Sequence, residues 1–174
     1  MKKTFDVEGR QMTAVCNGLL PKLYRFNFGR DIMMDLKKFH DGAKKDPESV
    51  DMTPLENLTW LMFKEGGEDV GETPDEWLRT LEDPASIYIL SQDILALWQQ
   101  AQRTTATPKK KIRETVRPKT GATYMLRCAQ LNLHDDDLRG MTMGMVYDML
   151  IEQGNDREEY PIKATKDDYK RLLG

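Results

Sequence analysis

The side chains able to do chemistry are few and poorly spaced for it. The two histidines, His40 and His134, have no Ser or Cys nucleophile beside them, and general base catalysis needs a partner within hydrogen-bond reach. Surface or capping roles suit both. Cys16 and Cys128, the two cysteines, are too far apart in sequence for a disulfide framework or a zinc set. Read onto a strand and a helix face, they are small buried hydrophobes rather than reactive thiols. Asp135-Asp136-Asp137 lacks the alternating oxygen ligands and distal Glu of a calcium loop, so a solvated turn or helix cap accounts for it. Glu65-Gly66-Gly67-Glu68 with Gly71 is glycine-rich, but it lacks a following Lys-Ser/Thr and a preceding strand, and its carboxylates repel phosphate. No catalytic set emerges. The expectation is a protein that is not an enzyme and needs no cofactor, metal or nucleotide.

Binding features are more prominent. Residues 1–107 carry 13 basic and 18 acidic side chains, 108–121 carry six and one, and 122–174 carry seven and ten. A short basic strip therefore joins two mildly acidic blocks. Lys109-Lys110-Lys111 sits in that strip between Pro108 and Pro118. It supplies a phosphate footprint but no aromatic residues for base stacking, so a solvated linker meeting an acidic partner is the simpler reading. Met141, Met143, Met145 and Met149 crowd one segment; methionine suits both core filling and adaptable binding surfaces. The formal net charge is -3 over 174 residues. No apolar run reaches the roughly 20 residues that span a bilayer, and the charged start Met1–Asp6 has no apolar stretch behind it, so no secretion signal is expected.

These residues must be placed by elements that the pattern predicts as mainly α. Residues 4–16 alternate around Glu8-Gly9 as a β-hairpin. A helix starts near Pro21, with Leu20, Leu23, Tyr24, Phe28, Ile32, Leu36 and Phe39 at helical spacing and Gly29 as a kink or close contact. Residues 40–50 read as a loop. Thr53-Pro54, Thr73-Pro74 and Asp83-Pro84 begin helices over 54–65, 74–82 and 84–103. Thr104–Gly121 is extended or disordered when alone. Ala122–Leu133 is helical, 134–140 turns, Thr142 caps a helix ending at Gly154-Asn155, and 165–173 forms a short last helix. The expected architecture is an N-terminal β-hairpin packed on a small helical bundle (1–107), a flexible basic linker (108–121) and a second small helical module (122–174).

Leu23-Tyr24-Arg25-Phe26-Asn27-Phe28-Gly29-Arg30-Asp31-Ile32 after a hairpin, then Pro74-Asp75-Glu76-Trp77-Leu78 and Ile94-Leu95-Ala96-Leu97-Trp98, resemble the tail assembly chaperones of long-tailed phages and prophages of Gram-positive hosts. Leu126–Leu131, Met143–Met149, Asn155-Asp156 and Ala164–Tyr169 resemble the extension found in the long form of these chaperones. In that family the long form arises by a programmed backward frameshift of one base, and Lys109-Lys110-Lys111 can be encoded by the run of adenines on which such a slip occurs.

The resemblance implies that 1–107 binds and solubilises the tape measure protein and that the extension recruits the major tail protein. It implies many copies, action in the host bacterial cytoplasm, and absence from the mature virion. No nucleic-acid or membrane partner is implied. Tyr24, Phe28, Ile32, Leu36 and Trp98 are the candidate tape-binding residues, each also readable as plain core. Met143, Met145 and Met149 are the candidates in the extension. The alternatives are a small phage DNA-binding regulator using the basic strip, or a structural tail component retained in the virion.

Overall fold

In a computed structural model, which describes residues 1–109, 117–156 and 171, the chain is mainly helical with one antiparallel hairpin. The elements are β1 (Lys2–Val7), β2 (Arg10–Val15), α1 (Leu20–Phe28), α2 (Ile32–Lys45), α3 (Thr53–Glu65), α4 (Pro74–Leu78), α5 (Ser86–Ile89), α6 (Ser91–Ala101), α7 (Gly121–Gln130), α8 (Asp135–Gly140) and α9 (Met143–Asn155). No helix among the described residues is long and apolar enough to cross a membrane. Lys110, Lys111 and, apart from Arg171, the last helix expected over 165–173 lie outside the described residues.

The hairpin forms where the alternation placed it. Glu8 and Gly9 both take positive φ, 52° and 79°, the geometry that a two-residue turn needs to match strand twist. The register pairs Phe5 with Met12 and Val7 with Arg10. Phe5, Val7, Met12 and Ala14 share the buried face. That face lies on α3, where Phe5 meets the Phe63 ring edge-on at 5.9 Å. A two-stranded hairpin is marginal alone; burying each large apolar side chain against α3 contributes roughly 1.5–3 kcal/mol.

Helix α3 is buried nearly all round, from Leu55 to Phe63 apart from half-buried Glu56. Trp60 donates its indole N–H to the Val70 carbonyl at 3.0 Å, and Phe63 stacks edge-on with Trp77 at 5.5 Å. At its end, Gly66 lies so close to β2 that a Cβ there would sit 1.8 Å from the Thr13 carbonyl oxygen.

Several boundaries differ from the sequence pattern, each for a local reason. The helix expected to run from Pro21 past Phe39 is two helices. Gly29 adopts φ 64° as the C-cap of α1, and the Asp31 side chain accepts the Met33 and Met34 amides to start α2. Helix α2 then continues to Lys45, into the stretch read as loop. Thr53 does not cap α3; the Asp51 carboxylate accepts the Thr53 amide instead. Helix α4 stops at Leu78 rather than 82, and the span 84–103 divides at Leu90 into α5 and α6. Of the two readings of Asp135-Asp136-Asp137, solvated turn or helix cap, the second holds: the triplet opens the short helix α8 within the span read as a turn, and Asp137 accepts the His134 amide at 2.9 Å. Thr73 and Thr142 cap α4 and α9 as expected, accepting the Glu76 and Met145 amides at 3.2 Å each.

The stretches 1–107 and 122–156 share one hydrophobic cluster, which includes Tyr124, Cys128, Leu138, Met143 and Val146 beside Leu20, Tyr24 and Trp98. Helix α7 packs on α1. Polar ties line the seam. The Gly18 amide reaches the carbonyls of Met141 at 2.7 Å and Leu138 at 3.0 Å, and the Gly18 carbonyl accepts the Tyr124 hydroxyl at 2.9 Å. Asp31 accepts the Gly121 amide at 2.8 and 3.0 Å, one distance per oxygen. Residues 105–109, at the start of the stretch read as extended or disordered when alone, make hydrogen bonds to α9. Asp148 accepts the Thr105 and Ala106 amides at 2.8 and 2.9 Å, and Asn155 bridges the Lys109 amide and the Thr107 carbonyl.

Candidate protein-binding site

Three helices bring apolar residues from distant parts of the chain to one concave surface. Met33, Met34 and Leu36 come from α2, Trp98 from α6, and Tyr147, Leu150 and Ile151 from α9. Gln102, Thr104, Pro108, Pro118, Gly154 and Asn155 also line this groove of about 970 Å³. Its charged lining residues, among those described, are Lys37 and Lys119.

Local chemistry fixes each wall. Asp31 sets where α2 begins and thereby the heading of Leu36. The opposite face of α2 is anchored by Asp35, a buried carboxylate that receives Arg30 Nε at 2.7 Å and the Tyr24 hydroxyl at 3.1 Å. A buried charge survives only with such partners. Helix α9 can approach because Gly144 has no side chain; a Cβ there would lie 1.9 Å from the Arg103 carbonyl oxygen. Asp148 and Asn155 then hold residues 105–109 along the groove's edge. The amides that Asp148 accepts, Ala106 foremost, hold its carboxyl below the usual aspartate value.

The expected site residues divide by burial. Leu36 and Trp98 line the groove, Leu36 half-buried and Trp98 6% exposed. Tyr24, Ile32 and Met143 are wholly inside the core. Phe28 is half-buried, edge-on to Tyr24 at 4.8 Å and to Trp60 at 5.8 Å. Met145 and Met149 are exposed on α9, at 50% and 40%, and do not line the groove. Sequence reasoning passed over Tyr147 and Ile151, although Val146, Tyr147, Leu150 and Ile151 repeat at three- and four-residue spacing. The exposed Met145 and Met149 stand on a different side of α9 from Tyr147, Leu150 and Ile151. Among the described residues, the most exposed large apolar side chains are Phe26 and Ile89, at 86% and 81%; each stands on a short helix away from the groove's lining.

Both thiols are buried and several carboxylates among the described residues have partners. Burial pushes the Cys16 thiol up to about 12 and also raises Cys128. Asp135 pairs with Lys22 at 2.6 Å. No three His, Cys, Asp or Glu side chains among the described residues are placed to share a cation. A second cavity of about 310 Å³ mixes Arg30, Lys38 and Lys45 with Asp35, Asp46 and Asp51; Arg30 is bound to Asp35, and Asp46 accepts from Ser49. The larger groove, with apolar walls and lysines, is suited to holding an apolar face of another polypeptide. No protein-family model, curated protein or solved structure matches the chain.

Proposed function

We propose that this chain is a tail assembly chaperone of a long-tailed phage or prophage, a non-enzymatic scaffold that binds the tape measure protein and recruits the major tail protein. The single observation that carries the proposal is the apolar groove between α2, α6 and α9, which contains Leu36 and Trp98. An unassembled tape measure protein exposes apolar helical faces that aggregate. A groove of this kind covers one such face, and many copies with modest individual affinity cover a long chain while remaining displaceable. The exposed Met145 and Met149 of α9 offer a second, adaptable surface for the tail protein. The sequence resemblance supports the same reading. In it the chain works in the host cytoplasm, leaves before the virion is complete, and is made by a ribosomal slip at Lys109–Lys111.

Co-expression tests it. The tape measure protein should be soluble with the intact chain and insoluble without it, and Leu36→Asp should abolish the rescue. Tape protein that is equally soluble and equally competent for tail growth without the chain overturns the proposal. Mass spectrometry of purified virions should not detect the chain; its presence there favours a retained structural component. A gene with no slippery sequence around the Lys109–Lys111 codons removes the frameshift.

A further inference from the structure

We propose that the occupant of the groove is an amphipathic helix of another protein bearing carboxylates along one flank of its apolar stripe. The inference rests on reading the groove as the client-binding surface, and it adds the chemistry by which a client is chosen.

Three observations converge. First, size: a helix about 10 Å wide, inserted to half its depth, fills on the order of 200 Å³ per turn, so about 970 Å³ receives the buried face of several turns. Second, the walls are aliphatic, thioether and aromatic, which fits leucine-like side chains at three- and four-residue spacing. Third, charge: Lys37 and Lys119 both line the groove, and no carboxylate does among the described residues. Neither lysine forms an ion pair with a described residue. The stretch 1–107 is acidic, with 18 carboxylates against 13 basic groups, so Lys37 stands against the sign of its own block, while Lys119 comes from the basic strip; among the described lining residues the charges are both positive. Such a pair steers opposite charge inward and rejects like charge. Nucleic acid fits less well, because Trp98, 6% exposed, has no free face for a base to stack on.

The test uses the full chain and two labelled synthetic helices of about 18 residues, long enough to be helical in water. Both carry leucines at helical spacing; one has glutamates beside the stripe and the other lysines. Fluorescence anisotropy should show the glutamate helix binding about tenfold or more tighter at low salt. The gap should shrink as salt shortens the screening length. Lys37→Glu with Lys119→Glu should reverse the preference, and Leu36→Asp should remove binding of both, with circular dichroism verifying the fold of each variant. Equal affinities, binding of neither helix, or a preference indifferent to the double reversal overturns the inference. So does a groove blocked by self-association of the chain, or by its own residues 157–174, or peptide displacement by duplex DNA. Tape protein kept soluble while both helices are ignored removes this inference and leaves the chaperone proposal standing. Selective glutamate-helix binding with no effect on tape solubility does the opposite.

Discussion

The hairpin–α3 region and the α7–α9 region are both packed into one cluster, yet they are held differently. In the first, rings interlock: Phe5 on Phe63, Phe63 on Trp77, Phe28 on Trp60. In the second, apolar packing that includes Tyr124 edge-on to Tyr147 at 5.8 Å is joined by single polar ties: Asp31 on Gly121, Asp148 on Thr105 and Ala106, Asn155 on Lys109, and Gly18 on Leu138 and Met141. Apolar contact is non-directional and tolerates small shifts. A carboxylate accepting backbone amides demands both its charge and its position. The first region is therefore the anchor, and the second is the part whose attachment chemistry can be tuned.

The sharpest way to expose that difference is Trp60→Ala, which should cost about 3–5 kcal/mol and unfold both regions together in a urea titration. Separate transitions would show that the regions do not share a core. Gly144→Ala comes next. The added carbon meets the rigid Arg103 backbone, so the cost should be about 1–3 kcal/mol. Hydrogen exchange should quicken in α9 and residues 103–109 and leave β1, β2 and α3 protected; equal loss in the hairpin breaks the distinction. Asp31→Ala should cost about 1 kcal/mol through the lost cap of α2, and it should also speed exchange of the Gly121 amide, which no simple capping role explains.

Acid gives the smallest effect. The Asp148 carboxyl is held below its ordinary 3.8 by the amides it accepts. A carboxylate with a depressed folded value contributes stability that is present above the unfolded value and is lost as pH falls through the folded one. Protection of the Thr105 and Ala106 amides, measured against the exchange of an unstructured amide at the same pH, should therefore fall as the pH drops below about 3.8, and Asp148→Asn should show the lower protection at neutral pH. The same acid step releases Glu8 from the Glu82 and Asp83 amides, but the stacked rings of Phe5, Phe63 and Trp77 carry no titrating group.

Much of the anchor region was legible because its signals are local. Alternation around Glu8-Gly9 and the Thr73 cap each depend on residues within a few positions. The misses are of two kinds, a choice between competing neighbours and a contact with distant residues. Thr53 looked like a cap, but Asp51 takes the amide. Gly29 read as a kink, yet with Asp31 waiting two residues on, a full stop and restart is satisfied at both ends. The strip after Thr104 read as free because nothing nearby in sequence engages it; its partners Asp148 and Asn155 are more than 40 residues away. Of the candidate site, Leu36 and Trp98 line the groove, while Tyr24 and Ile32 lie in the core. Helical spacing marks an apolar face but does not say whether the chain's own residues or another molecule covers it.

The crossing at Gly18 sets an order of events during synthesis. Its carbonyl is bonded by Tyr124, 106 residues later, and its amide by still later carbonyls. A ribosome adding about 5–20 residues per second needs about 5–20 s to deliver that tyrosine. Throughout that interval the Gly18 peptide group lacks these partners; the hairpin, α3 and the Val70 and Trp77 that pack on α3 are all synthesised before Tyr124. The late helices are thus made after the surface they cover, and the nascent chain carries that surface without its cover in the meantime.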